Sequence, residues 1–438
     1  MRYAANDLEA FWLPFTSNRD FKQNPRLLVS GSGVRYRSHK GHEILDASSG
    51  LFCSPAGHGR QEIADAVQKS LSDLSYCPSF QHSHPGAFEL SRRVAQLAPD
   101  DMDYVFYGNS GSEAVESALK IALLYHRIRG QGQRMRIVGR ERGYHGVNFA
   151  GFSVGGMVRN RESFGLGLPG VTHMRHTHLP ELNRFSRGQP EHGADLADDL
   201  QRQVELHGGD TIAACIVEPV AGSTGCLPPP KGYLERLRTI CDKHGILLIF
   251  DEVITGFGRL GRNFAADRFG VKPDMMTMAK AITNGTIPMS AVSVGNHVYK
   301  AITEAAPDRA IEFFHGYTWS ANPAACAAGI AALDIYEKEG LFANVAALED
   351  YFLDTVFAMK DIGIVTDIRG IGLLATIDLA ADAEGPGKRG YKAIQAFYDA
   401  GLLLKITGDA AILAPAFVYT KDLIDEMAEK LRGVLKTL

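Results

Sequence analysis

The chain has 438 residues, 45% hydrophobic and 22% charged, with 46 basic against 50 acidic side chains and a formal charge of -4. That balance gives no electrostatic case for nucleic acid or an anionic membrane, and the length implies two or three domains, or a large domain with a smaller partner. Six cysteines without a CxxC or zinc-type spacing read as reduced thiols of a cytoplasmic protein; MRYAANDLEAFWLPF lacks the apolar core of a signal peptide, and no segment approaches the roughly 18 apolar residues of a membrane span.

Residues 1–60 mix aromatic and turn signals, with Gly31 and Gly33 in a hairpin and Gly57 and Gly59 closing a loop before an amphipathic helix from Gln61. From about residue 104 the pattern becomes regular. Apolar runs at 104–107, 212–217, 246–250, 275–279 and 289–294 alternate with helix-period stretches, as in an α/β domain with a mostly parallel sheet. The first of these helices spans 111–129, with Ser110 and Glu113 at capping-box spacing. Beyond residue 328 come helices near 331–336 and 345–359, a strand pair near 369–379 and 402–414, a loop over ADAEGPGKRG, and a last helix from Thr420 with Leu423, Ile424, Met427, Leu431 and Val434 inside. The expected division is a large domain over 61–328 and a smaller α+β domain made of 1–60 and 329–438.

Two of the apolar runs end in opposite charges, Asp251 after 246–250 and Lys280 after 275–279. Five consecutive apolar residues fit a strand buried on both faces, and ligands of such sheets gather at the strands' carboxyl ends. Asp251 and Lys280 are therefore expected to meet in one active site. Phe-Asp-Glu after an aliphatic strand also looks like a Walker B acid, but the chain has no GxxxxGK[ST]. The GxGxxG at Gly256, Gly258 and Gly261 reads as accidental, since Asp274 precedes the next strand and Gly270 leaves room for only about two helical turns.

Singly, a lysine or aspartate at a strand end is most often a surface cation or a capping carboxylate. Together they match pyridoxal phosphate, which needs an amine to condense with its aldehyde and a carboxylate to keep its pyridine nitrogen protonated. A phosphate cradle is available in Gly108-Asn109-Ser110-Gly111-Ser112-Glu113 at a helix start, although an ordinary glycine turn with a serine cap has the same look. A flat partner for the ring is available in Gly143-Tyr144-His145-Gly146 after the short strand 136–138. His173, His176 and His178 form an HxxHxH in a loop-like segment with no carboxylate or cysteine at ligand spacing, so no metal is expected.

The order GNSGSEAVE, GYHG, IVEPVAGSTG, LLIFDEVITGFGR, MAKAITNG, HGYTWSANPAACAA resembles the class III (omega) aminotransferases of the fold-type I pyridoxal-phosphate enzymes, most nearly the beta-alanine or amine:pyruvate branch. The resemblance extends from PFTSNRDFK near the start to RGIGLLATIDL near the end. It implies that Lys280 holds the cofactor covalently and then moves the proton between substrate carbon and cofactor C4′, and that Asp251 faces the pyridine nitrogen. It further implies Tyr144 and Val253 on the two ring faces, Ser110, Gly111 and Ser112 on the phosphate together with Thr318 of the partner subunit, and His145 and Glu218 close by. Phe15, Phe52, Tyr144, Ala221 and Phe88 of the partner subunit would line the substrate pocket of a homodimer with composite sites, with a tetramer left open.

One departure concerns substrate. Relatives carry an arginine in a sequence like VRFGGD, and here LKITGD puts Lys405 at that position, a point charge in place of a bidentate fork. The expected reaction moves an amino group from an amine or omega-amino acid to a keto acid such as pyruvate. An aminomutase, decarboxylase or phospho-lyase is the alternative on the same fold and cofactor; a cofactor-binding regulator is a third reading, which the intact Lys280 and Asp251 disfavour.

Overall fold

The computed structural model describes residues 8–438, so the first seven residues of the expected N-terminal arm lie outside the described part. A hairpin of β1 (Leu28–Ser32) and β2 (Arg35–Ser38) turns at Gly33, whose φ of 55° favours glycine, and leads into β3 (Glu43–Asp46). The central sheet comprises β4 (Tyr104–Gly108), β5 (Arg136–Arg140), β6 (Val171–Met174), β7 (Ile212–Val217), β8 (Leu247–Asp251), β9 (Met275–Met278) and β10 (Ser290–Val294). Its order is β4-β10-β9-β8-β7-β5-β6, and β10 alone runs against the others.

Every residue of β7 to β10 is buried, and successive side chains feed two different cores. Ala214, Ile216, Leu247, Ile249 and Met275 pack with Val115, Ala118 and Ala122 of the helix Gly111–Ile128. Cys215, Val217, Leu248, Phe250 and Met276 pack in the larger core on the other face, with Tyr233 and Leu237 of the helix Tyr233–His244. Two-sided burial removes the polar alternation of a half-exposed strand, which is why these segments read as unbroken apolar runs.

Ser110 caps the helix Gly111–Ile128 by accepting the Glu113 N–H at 3.3 Å, while the Glu113 carboxylate accepts the N–H of Asn109 at 2.7 Å. The reciprocal cap thus reaches one residue further out than the spacing alone implies.

At the C-terminal end, β11 (Val365–Ile371), β12 (Leu374–Leu379), β14 (Lys405–Thr407) and β15 (Ala410–Leu413) form an antiparallel sheet of order β11-β12-β15-β14. The single strand expected over 402–414 is broken: β13 (Leu402–Leu403) pairs in parallel with β3, and the chain then turns at Gly408, with φ 59°. N- and C-terminal segments therefore share the sheet β1-β2-β3-β13. The loop over 381–390 is also shorter than expected, because the helix Lys388–Asp399 starts inside it. The Asp409 carboxylate accepts the N–H groups of Gly387 (2.6 Å) and Gly390 (2.9 Å), satisfying donors that the first helical turn leaves free. The helices Leu341–Phe357 and Lys421–Leu435 complete this part, the last capped by Thr420 at the Leu423 N–H, while the helix Pro323–Lys338 runs across the expected boundary at 328 and packs mainly on the helices Gln61–Asp73 and Pro85–Leu97 and the turn Lys280–Thr283. Among the described residues no helix is long and apolar enough to cross a membrane.

Candidate active site

Strands β8 and β9 are parallel neighbours, with Asp251 in register with Thr277. Asp251 ends β8, and Lys280 stands two residues past β9 with a left-handed φ of 51°. Both side chains line one cavity, together with Tyr144, Glu218, Gly111, Ser112 and Val253. The meeting expected from the two apolar runs is therefore present.

Asp251 is buried, with Oδ2 2.7 Å from Nδ1 of His145 and Oδ1 accepting the Val253 N–H at 3.1 Å. Since a carboxylate only accepts, the His145 proton belongs on Nδ1; its Nε2 is buried with no hydrogen-bond partner among the described residues. Burial holds the Lys280 amine below its ordinary range, against the opposing pull of Cys53, Asp251 and Glu218. Its Nζ lies 5.1 Å from the centre of the Phe52 ring.

Glu218 follows β7, and burial pushes its carboxyl up. Its Oε1 accepts the N–H of Tyr144 (2.8 Å) and its Oε2 that of Gly222 (3.1 Å), so it holds the tyrosine loop in place. Burial, then the neighbouring Asp251 and Glu218, also raise the Tyr144 phenol. Arg140, buried at the end of β5, donates to the Glu218 carbonyl at 2.7 Å. It was absent from the expected set, although a charge closing a short apolar run marks it just as it marks Asp251.

Gly111 and Ser112 open the 18-residue helix against the cavity, and Ser112 Oγ accepts the Val147 N–H at 3.0 Å. A Cβ on Gly146 would lie 2.4 Å from Ser112 Oγ, and one on Gly111 3.2 Å from both Val253 methyls. The two glycines thus let the helix start, the GYHG turn and Val253 converge on one space. A helix start for an anion, an amine of lowered basicity and a pinned carboxylate are the complement of a phosphate-bearing pyridine aldehyde.

The remaining expected residues are not among those that line this cavity within the one chain. Ser110 is the exposed N-cap, and Ala221 is buried beside Gly222. Phe15 and Phe88 are 77% and 70% exposed, and Thr318 is exposed with its carbonyl accepting Tyr76 Oη at 3.1 Å. Lys405 is half-buried on β14, opposite Ile412, which shares an apolar cluster with Phe52; burial lowers its amine, and among the described residues it has no hydrogen-bond or ion-pair partner.

The HxxHxH segment is not all loop. His173 lies on β6 with Nε2 3.0 Å from the Gly155 carbonyl. No carboxylate stands at ligand spacing in the sequence, yet the fold brings Asp367 and Asp378 to His178, their ligand atoms lying within 4.8 Å of one another. Sequence spacing cannot reveal this, because β11 and β12 bring the acids from far along the chain. Arg369 Nη1 sits among the three, donating to both carboxylates (2.7 Å to Asp378) and 3.3 Å from His178.

The family model for class-III aminotransferases matches residues 16–435. The chain is 54% identical over 433 residues to an omega-aminotransferase of Caulobacter vibrioides, covering 99% of this chain and 98% of that protein. It is 44% identical to the omega-amino acid–pyruvate aminotransferase of Pseudomonas putida, over 98% of this chain and 96% of that one. The omega transaminase of Pseudomonas jessenii in complex with PMP has a similar structure, with a TM-score of 0.93 and 29% identity over 99% of this chain and 97% of that one. The cavity at the ends of β8 and β9 thus lies in a chain that belongs to the class-III aminotransferases, with pyridoxal 5′-phosphate as its cofactor.

Proposed function

We propose that this aminotransferase passes an amino group from an amine or omega-amino acid to a keto acid such as pyruvate, with Lys280 as the covalent anchor and base. The observation that carries the reading is the convergence of the Lys280 amine and the pinned Asp251 carboxylate on one cavity. When bound, pyridoxal phosphate supplies an electron sink for the substrate carbon. Asp251 would face the ring nitrogen and keep a proton there, and His145 keeps its carboxylate in place. Tyr144 and Val253, which both line the cavity, would cover the two faces of the ring. The N–H groups at Gly111 and Ser112, with the Ser110 hydroxyl and Thr318 of the partner subunit, would take the phosphate. The Lys280 amine, made less basic by burial, would hold the cofactor and serve as the base that moves the proton between the donor's amine-bearing carbon and cofactor C4′. Two half-reactions then follow in turn, donor first and keto acid second.

Lys405, which has no ion-pair partner among the described residues, would serve as the cation for the substrate carboxylate, though less rigidly than an arginine. Relatives named for pyruvate support that acceptor. Phe52 and Ala221 would line the substrate side, with Phe15 and Phe88 at a subunit boundary. Phe88, Phe314 and Trp319, all more than half exposed, are what a second copy would cover, and a homodimer in the cytoplasm with composite sites is the proposed working form. A large domain over 61–328 and a small one from the two chain ends is the matching division.

Mixing the holoenzyme with a single amine, without keto acid, and following cofactor absorbance tests the reading. One equivalent of conversion to the amine form of the cofactor supports it. Release of carbon dioxide or phosphate, or no conversion with any amine, sinks it.

A further inference from the structure

Three residues of one short turn, Ser49, Gly50 and Phe52, have left-handed φ values of 48°, 67° and 62°. Two of them carry side chains, for which this conformation is strained, and such strain persists only where the surroundings impose it. Two buried, oppositely charged groups do so here. Asp46 accepts the N–H groups of Ser48 (3.0 Å) and Gly50 (2.6 Å). Arg259, also fully buried, donates from Nη2 to Ser49 Oγ at 3.2 Å and from Nη1 to the carbonyls of Leu373 (3.1 Å) and Pro415 (2.6 Å). The Ser49 hydroxyl in turn donates to the Ala414 carbonyl at 2.7 Å.

Among the described residues Arg259 has no carboxylate within ion-pair distance; neutral oxygens and the Phe417 ring, 4.6 Å from its Cζ, are its direct contacts, with the buried Asp46 carboxylate as a more distant counter-charge. A buried guanidinium in such surroundings is expensive, and a chain that kept it only for packing would do as well with an apolar side chain. What the guanidinium reaches is the turn that carries Phe52 to the Lys280 amine. That turn also abuts the lysine's own: a Cβ on Gly285 would lie 2.8 Å from Cys53 Cβ, and the Gly285 N–H donates to the Lys280 carbonyl at 3.1 Å. Lys280 is itself left-handed, at φ 51°. Two strained turns are thus seated against each other, and Arg259 holds one of them.

We infer that Arg259 is a positioning residue of the active site: acting through Ser49, it fixes the turn that sets Phe52 against the Lys280 amine, and so sets the environment of that amine and the width of the pocket beside it. The inference rests on the reading of Lys280 as the cofactor-holding amine. Arg259→Met removes the donor, Arg259→Lys keeps the charge without the fork, and Ser49→Ala cuts the link while leaving the guanidinium its two carbonyl acceptors, so a foldable variant remains if the arginine variants fail to fold.

The first readout needs no cofactor. Reductive methylation of Lys280 in the cofactor-free protein, followed by mass spectrometry across pH, is expected to show its midpoint moving toward that of an ordinary lysine in Ser49→Ala and in each arginine variant that folds. The second is the ratio of KM for a bulky amine to KM for a small one in the holoenzyme, expected to change at least threefold in the same variants. A purely structural role would lower the melting temperature and leave both readouts at wild-type values, and that result overturns the inference. A change in the arginine variants with Ser49→Ala unchanged overturns it as well, because the route through Ser49 is what is claimed. Failure of the wild type to convert any amine would instead count against the proposed function, leaving the methylation readout to decide this inference by itself.

Discussion

Oδ2 of Asp251 lies 2.7 Å from Nδ1 of a completely buried His145. The carboxylate is thereby held in one rotamer at the mouth of β8, with a second contact from the Val253 N–H. Asp251→Asn should lower kcat by roughly 10²- to 10³-fold, the order seen when a preorganised electrostatic partner is removed, while the protein still takes up cofactor. His145→Leu should cost less, about 1.5–3 kcal/mol for one hydrogen bond to a charged group. Stopped-flow half-reactions of both variants, beside cofactor titration of the apoproteins, check the ordering.

Lys280 should reveal its burial without any chemistry. Its folded-state pKa is depressed by desolvation from the ordinary 10.5, so the unfolded chain binds the extra proton and stability rises with pH between the two values. In the cofactor-free protein, Lys280→Met should therefore melt at a higher temperature than wild type at pH 7, and the gap should close as pH rises toward 10.5. The same variant should lose covalent cofactor, read by mass spectrometry after borohydride reduction.

Glu252, next to Asp251, points away to a structural task. It accepts from Thr255 Oγ1 (2.5 Å) and from the N–H groups of Ala265 (2.9 Å) and Ala266 (2.8 Å) at the start of the helix Ala265–Phe269. Burial pushes its carboxyl up from 4.5 to about 7. Between those values the folded chain binds more protons than the unfolded one, so this group lowers stability as pH rises, with a slope of at most about 1.4 kcal/mol per unit. Glu252→Gln should remove that slope and cost about 1–3 kcal/mol by setting an amide N–H against a donor. Urea midpoints from pH 4.5 to 7.5 measure both.

Lys405→Ala should raise KM for a keto acid by roughly ten- to a hundredfold, the worth of a charge-assisted hydrogen bond, and change KM for an apolar amine much less. Lys405→Arg should lower the keto-acid KM by restoring the fork. Equal effects on both substrates would reject a carboxylate role. Steady-state kinetics with both substrate classes decide it.

Sedimentation should give twice the 47.6 kDa of the chain. Phe88→Asp should shift the population toward the single chain and lower activity in proportion, since a charge on a 70% exposed aromatic matters little unless a second copy covers it.

The sheet and the chemistry of its carboxyl edge were legible in the sequence because burial on both faces leaves a plain mark, an unbroken apolar run ended by a charge, as at Asp251 and Lys280. The glycines of GYHG and the serine-capped helix start were legible for a related reason: close approach tolerates no Cβ, so the residue type records the geometry. Only tertiary structure decided which distant groups complete the site. Which N–H the Glu218 carboxylate accepts, that of Tyr144, follows from β5 and β7 being neighbours; Asp367 and Asp378 meet His178 through a hairpin near the other end of the chain; and β13 leaves its expected strand to join β3. Local patterns encode what each segment buries. Which segments then become neighbours is set by packing between elements far apart in the chain, and no periodicity within one segment carries that information.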